Sequence, residues 1–119
     1  MFIRQERRQY MSKHLEVLLV CGSGASSGFM AVNMKKAAAE HNLDISITAR
    51  SEAEIDSYID SIDALMIGPH LKYLVDELKE KYADKHVQII LMDPAYYSTL
   101  NGEKALKHLI KTIREANAQ

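Results

Sequence analysis

Three short apolar runs, and one segment in which Ile45, Ile47 and Ala49 alternate with polar residues, are separated by segments whose apolar residues recur at helical spacing. We predict that the runs and the alternating segment are strands, over residues 15–20, 44–49, 64–67 and 87–92. The intervening patterns predict helices over residues 29–40, 51–62, 71–78 and 105–113. Ser51 and Glu54 have the spacing of a capping box, which indicates where the second helix begins.

Strands that alternate with helices in this way form a mainly parallel sheet that is covered by helices on both faces. The nearly continuous apolar sequences LEVLLV, ALMI and VQIILM suit strands that are buried on both sides. We therefore predict an α/β fold, a small doubly wound sheet of four parallel strands in a flavodoxin-like or tyrosine-phosphatase-like three-layer sandwich. Residues 1–12 are predicted to be a flexible N-terminal extension, and residues 13–119 a single domain.

Several candidate site residues follow the predicted strands directly. Ligands of doubly wound sheets bind beyond the carboxyl ends of the strands, so we expect one shared rim formed by Cys21, Pro69, His70, Asp93 and Tyr97. His70 is interpreted first as an ordinary histidine of a surface loop. Asp93 is interpreted equally as a turn former and as a general acid. Tyr97, in the long loop 93–102, suits partner contact and loop packing equally well.

Cys21 precedes a segment of small residues that leads into a predicted helix. The segment consists of Gly22, Ser23, Gly24, Ala25, Ser26, Ser27 and Gly28. Backbone N–H groups of such a loop and the positive end of the helix dipole favour an anion such as phosphate. The same field lowers the pKa of a thiol, which makes Cys21 a candidate nucleophile. The alternatives are purely structural: Cys21 would be a small buried side chain, and the serines would cap the helix.

Composition and charge exclude several classes of function. Fifteen basic and 16 acidic residues give a net charge of −1, whereas general nucleic-acid and membrane-surface binders need a basic excess. The apolar runs are far shorter than the about 20 residues of a bilayer span. The single cysteine excludes an intramolecular disulfide and disfavours a redox role, and the histidines lack metal-site spacing. We expect a cytoplasmic protein without metal or cofactor.

The segment after Cys21 is also related to the phosphate loop of the low-molecular-weight tyrosine phosphatases, in which a cysteine, five residues and an arginine surround the phosphate. Ser27 stands at the position of that arginine, so the bidentate clamp on the transferring phosphoryl group is missing. Asp93-Pro94, followed by Ala95 and two tyrosines, resembles the loop that carries the general acid in those enzymes. Hydrolysis of a phosphate ester is therefore the weaker alternative.

Most of the chain, from about Leu15 to Ile113, resembles the enzyme IIB component of the bacterial sugar phosphotransferase system (PTS), lactose/cellobiose (diacetylchitobiose) class. The family's motif is a cysteine, a glycine three residues on and an end rich in serine and threonine. The matching residues are Cys21, Gly24, Ser26 and Ser27, while Gly28 departs from a common serine.

Two further segments resemble the same family. Gly68-Pro69 with Tyr73 is similar to a Gly-Pro segment with a following tyrosine, and Tyr97 with Asn101-Gly102 is similar to a tyrosine and an Asp-Gly pair. His70 stands where glutamine is common, so the resemblance implies no role for it.

The resemblance implies a phosphoryl relay. A phosphohistidine of enzyme IIA would phosphorylate Cys21, and the group would pass to a sugar bound by the membrane-embedded enzyme IIC. A β-linked disaccharide such as cellobiose, chitobiose or lactose is the implied sugar. The backbone of residues 22–28 would hold the phosphate, with Ser23, Ser26 and Ser27 as hydroxyl donors, and we expect a monomer. The alternatives are a phosphatase-like hydrolase and a non-enzymatic module that binds a free anion.

Overall fold

Four parallel strands form one sheet, in the order β2-β1-β3-β4. The computed structural model describes residues 14–21 and 25–118, so the predicted extension over residues 1–12 lies outside the described residues. The strands are β1 (Leu15–Val20), β2 (Ile45–Arg50), β3 (Ala64–Ile67) and β4 (Gln88–Leu91). The predicted four-stranded parallel sheet is confirmed, with bounds that differ by a residue at the ends of β2 and β4.

Helices connect the strands. They are α1 (Ala25–Glu40), α2 (Ile55–Tyr58), α3 (Val75–Lys81), α4 (Pro94–Tyr97) and α5 (Gly102–Ala118). Short 3₁₀ turns at Glu52–Glu54 and Ile59–Ser61 flank α2, and the turn Pro69–Leu74 leads into α3. In the described part of the chain, none of these helices combines the length and the apolar character needed to cross a membrane.

All four helix predictions were wrong in their bounds. The helix predicted over residues 71–78 is the turn Pro69–Leu74 followed by α3, and the helix predicted over residues 105–113 extends over Gly102–Ala118. The first helix begins at Ala25 rather than at Phe29, because apolar periodicity becomes visible only at the first large apolar side chain. The helix predicted over residues 51–62 is broken into α2 and its two flanking turns. The hydroxyl of Ser61 donates to the carbonyl of Tyr58 (2.9 Å), which competes with continued helical bonding there.

Alternating side chains of the strands pack against two helical layers, which makes the sheet doubly wound. Val17 and Leu19 face α1 and α5, whereas Leu18 and Val20 face the layer formed by residues 52–61 and 69–82. All four of these side chains are buried. The predicted three-layer arrangement is confirmed, and its central strand β1 carries Cys21 at its carboxyl end.

The capping box predicted at the start of the second helix is also present. The backbone N–H of Ser51 donates to the carboxylate of Glu54 (3.2 Å). This bond satisfies one of the donors that a helix start leaves without a partner in the helix.

His14, directly before β1, contacts two carboxylates at the amino edge of the sheet. Its Nδ1 lies 2.8 Å from Oδ1 of Asp44, and its Nε2 lies 2.5 Å from Oε2 of Glu16. The hydrogen bonds, first that with Asp44 and then that with Glu16, raise the pKa of His14 above its ordinary 6.5. Both nitrogens donate only when the ring is protonated.

A raised folded-state pKa means that these contacts stabilise the protein below pH 6.5 and that the gain is lost as the pH rises through the folded-state pKa. We expect His14→Gln to lower the melting temperature below pH 6.5 and to match the wild type in alkaline solution. The difference will be small, because the site is exposed and screened by solvent. Thermal unfolding followed by circular dichroism across this range checks the prediction, and a pH-independent difference would contradict it.

Candidate functional site

The carboxyl edge of the sheet is where the strand order reverses, since β1 pairs with β2 on one side and with β3 on the other. Backbone bonds continue past the strand ends: Gly68 N–H donates to the carbonyl of Val20, and Met92 N–H donates to the carbonyl of Ile67, each at 2.9 Å. These bonds hold the residues that follow β1, β3 and β4 at one level. Parallel α/β sheets place ligands at such a position.

Cys21 is the first residue after β1, and it is buried, with 1% of its surface exposed. Its side chain belongs to the apolar cluster between the sheet and the layer of α1 and α5, which also contains Met30 and Met92. This burial fits the structural alternative, in which a cysteine at a strand end is a small buried side chain. It also means that any reaction at Sγ requires this part of the rim to open.

Gly68 lies so close to Cys21 that a side chain at this position would be crowded. A Cβ atom at Gly68 would lie 3.2 Å from both Cα and Cβ of Cys21 and 3.1 Å from Cε1 of His70. Pro69 follows as the first residue of its 3₁₀ turn, and Leu71 N–H donates to the carbonyl of Gly68 (2.9 Å). The Gly-Pro pair therefore brings the start of this turn into contact with Cys21.

His70 is exposed but not independent of the site. Its Nε2–H donates to the carbonyl oxygen of Cys21 (2.8 Å), and its ring centroid lies 6.0 Å from that of Tyr97, at an interplanar angle of 52°. The interpretation as an ordinary loop histidine accounts for the exposure and not for the hydrogen bond. The structure thus brings together three of the predicted rim residues, Cys21, His70 and Tyr97.

Asp93 is exposed and caps α4, since its Oδ1 accepts the N–H of Ala95 (2.8 Å). This is the turn-forming role that the sequence offered as one of two alternatives. The neighbouring Tyr96 is buried, and its hydroxyl is hydrogen bonded to Nδ1 of His108 (2.6 Å). Desolvation raises the pKa of Tyr96 to about 12, so the phenol stays protonated. Tyr96 therefore packs the loop onto the fold.

The start of α1 provides the electrostatic side of the site. No acidic residue lies in its first turn, so the positive end of its dipole is not neutralised there. Ser26 and Ser27 belong to this turn, whereas Gly22, Ser23 and Gly24 lie outside the described residues. Gly28 is half-buried, and a Cβ atom there would meet nothing within 4 Å. Packing therefore does not require a glycine at this position.

A cavity of about 510 Å³ lies at the opposite, amino edge of the sheet, lined by residues such as Leu15, Asp63, Lys85 and Arg114. None of the predicted site residues lines it. Among residues 14–21 and 25–118, no three His, Cys, Asp or Glu side chains form a group that would hold a metal ion. The predicted site residues that the structure describes therefore lie at the carboxyl edge and not at this cavity.

The family model described as PTS system, Lactose/Cellobiose specific IIB subunit, matches residues 16–108. The chain belongs to this family. IIB components are sugar phosphotransferases, and this IIB chain is therefore a sugar phosphoryl carrier of the lactose/cellobiose class. The resemblance seen in the sequence is confirmed.

Similar proteins agree with this assignment. The galactose-specific EIIB component of Lactococcus lactis subsp. cremoris is 30% identical over 95 residues, which are 76% of this chain and 88% of that protein. The solution structure of the cellobiose-specific IIB component of Borrelia burgdorferi superposes on this IIB chain with a TM-score of 0.71 and 27% identity, covering 86% and 94% of the two chains.

IIB domains also occur joined to IIC. The lactose-specific EIICB component of Lactococcus lactis subsp. lactis is 26% identical over 98 residues, which cover 81% of this IIB chain and 17% of that protein. In such proteins the IIB domain and its IIC partner are parts of one polypeptide.

Proposed function

We propose that this IIB chain carries the phosphoryl group on Cys21. The main support for this proposal is the position of Cys21, directly after the inner strand β1, where the strand order reverses. It directly precedes the segment that leads into α1, whose first turn holds no acidic side chain. A helix start without a competing carboxylate favours both a thiolate and a phosphate dianion.

The proposed relay has two steps. In the first, the sulfur of Cys21 attacks the phosphorus of a phosphohistidine on IIA. The S–P bond forms, the N–P bond breaks, and the bonding pair returns to the imidazole nitrogen, which takes up the thiol proton. In the second, a hydroxyl oxygen of the sugar held by IIC attacks the phosphorus. The sulfur leaves, the hydroxyl proton returns to the thiol, and a sugar phosphate forms.

The backbone N–H groups of residues 22–28 are proposed to surround the phosphoryl group, with hydroxyl donors from Ser23, Ser26 and Ser27. A β-linked disaccharide is the proposed sugar class, and a single domain over residues 13–119 acts as a monomer on the cytoplasmic side. Because Cys21 is buried, each partner must bind to an opened rim in which Sγ is uncovered.

Two observations favour a relay over hydrolysis. Asp93 uses its carboxylate to cap α4. Arg50 ends β2 beside Val20, but its guanidinium donates to the hydroxyl of Tyr58 and to the carbonyl of Ala49, each at 2.8 Å. The low-molecular-weight tyrosine phosphatases hold the transferring phosphoryl group with a guanidinium, and Arg50 is engaged elsewhere.

The test is phosphoryl acceptance by the intact protein. The chain is incubated with phosphoenolpyruvate, the general PTS components and its cognate IIA, and intact mass and phosphorus NMR are recorded. We expect one phosphoryl adduct with an S–P chemical shift, together with negligible hydrolysis of para-nitrophenyl phosphate. Steady hydrolysis without an adduct would overturn the relay in favour of a phosphatase. Neither signal, with the donor shown to be phosphorylated, would leave an anion-binding module.

A further inference from the structure

His70 is held in one place on the rim by its own turn and by its neighbours. The 3₁₀ turn begins at Pro69 and is closed by the bond from Leu71 N–H to the carbonyl of Gly68. The missing side chain of Gly68 leaves room for the imidazole, because a Cβ atom there would lie 3.1 Å from Cε1 of His70. The ring of Tyr97 lies nearby, with the two centroids 6.0 Å apart.

The hydrogen bond of His70 fixes which ring nitrogen carries hydrogen. Its partner is the carbonyl oxygen of Cys21, which only accepts, so Nε2 must be the donor at 2.8 Å. In the neutral ring Nδ1 then carries no hydrogen.

The bond keeps the carbonyl oxygen of Cys21 directed away from the side chain of the same residue. The side chain belongs to the face of the sheet covered by α1 and α5, whereas the carbonyl points to His70, which follows β3. A carbonyl oxygen carries partial negative charge, so an oxygen free to swing toward Sγ would repel a phosphoryl dianion there.

We propose that His70 is a positioning residue of phosphoryl transfer, whose Nε2–H holds the Cys21 carbonyl away from the phosphoryl group. The proposal rests on the proposed function, in which Cys21 carries the phosphoryl group. The role requires a hydrogen donor at the Nε2 position and neither a charge nor a proton transfer.

This requirement can be tested by substitutions that place a hydrogen donor at the position of one or the other imidazole nitrogen. The side-chain nitrogen of glutamine reaches the position of Nε2, whereas that of asparagine reaches the position of Nδ1. We expect His70→Gln to accept phosphoryl groups within about threefold of the wild-type rate, and His70→Ala and His70→Asn to be slower by about tenfold, as expected for the loss of one orienting hydrogen bond. His86→Gln, on an exposed histidine before β4, is the matched control and should leave the rate unchanged.

The measurements are the rate of adduct formation from phosphorylated cognate IIA, the melting temperature of each variant, and long-range ¹H–¹⁵N NMR of the wild-type imidazole at a pH where it is neutral. Three results together would support the proposal. His70→Ala and His70→Asn form the adduct slowly, His70→Gln forms it at nearly the wild-type rate, and the wild-type imidazole carries its hydrogen on Nε2. Equal rates for all His70 variants, an equally slow glutamine variant, or hydrogen on Nδ1 would each overturn it. These outcomes presuppose a wild-type adduct, whose absence would instead overturn the proposed function.

Discussion

Cys21→Ser is expected to abolish phosphoryl acceptance, lowering the rate by about a thousandfold or more, as when the nucleophile of other covalent enzymes is removed. A serine hydroxyl needs an adjacent general base to become a nucleophile, whereas a thiol is already partly ionised near neutral pH. The described residues around Cys21 offer no such base: its carbonyl accepts from His70, and Asp93 caps its own helix. The hydroxyl that Cys21→Ser introduces would therefore stay protonated.

The measurement is the intact mass of the variant after the acceptance reaction, with peptide mapping of the wild-type adduct as an independent test of the site. Burying a hydroxyl in this apolar cluster, in place of the sulfur, costs about 1–3 kcal/mol if the group is left unsatisfied. Circular dichroism must therefore show that the variant is folded at the assay temperature. An adduct on Cys21→Ser, or a wild-type adduct mapped to another residue, would refute the assignment. An inert cysteine beside an anion site would instead give equal phosphate affinity in both proteins.

The sheet was predictable because β1, β3 and β4 are nearly continuous apolar runs, as strands buried on both faces require. The strand β2 was predictable from the alternation of Ile45, Ile47 and Ala49. The start of α1 was not predictable in the same way. Ala25, Ser26, Ser27 and Gly28 are small, so they contribute nothing to an apolar stripe although their backbone is helical. The break after Tyr58 depends on the hydroxyl of Ser61, which a periodicity pattern does not register.

The place of Cys21 on the rim follows from the sequence, because a residue that ends a central parallel strand must lie at the carboxyl edge. The bond from His70 to the carbonyl of Cys21 does not follow, since it joins residues 49 positions apart and depends on the geometry of the turn after Gly68. The resemblance to the family does not reveal this bond either, because glutamine is common in the family at the position of His70. Asp93 shows the intermediate case: the sequence offered two roles, and only the local hydrogen bond to Ala95 distinguishes them.

The contact between α1 and α5 was also not predictable from the sequence, although a side-chain hydrogen bond joins α1 to the loop before α5. The side-chain amide of Asn33 donates to the carbonyl of Leu100 (2.8 Å), where the backbone has a positive φ of 53°. Asn101 then caps α5, since its Oδ1 accepts the N–H of Lys104 (3.1 Å). The first residue of α5, Gly102, lies directly against the backbone of α1.

Gly102→Ala is expected to lower the free energy of unfolding by about 3 kcal/mol, at the upper end of what overpacking usually costs. A Cβ atom there would lie 2.3 Å from the carbonyl carbon and 2.4 Å from the carbonyl oxygen of Asn33, and 2.6 Å from the nitrogen of Met34. These atoms are helix backbone and have no rotamer through which to move aside. The helices must separate, which loosens the core around Leu106 and Leu109.

The matched control is Gly28→Ala, because both changes add one methyl group to a helical glycine and differ in the space around it. Because the space around Gly28 is open and alanine is the better helix former, Gly28→Ala is expected to raise the free energy of unfolding by about 0.5–1 kcal/mol. Urea unfolding of the two variants measures both free energies, and the loss at Gly102 should appear as a melting temperature lower by about 10–20 °C. A Gly102→Ala protein as stable as the wild type would show that α1 and α5 do not approach this closely. Destabilisation of both variants alike would instead trace the effect to the substitution itself and not to the contact.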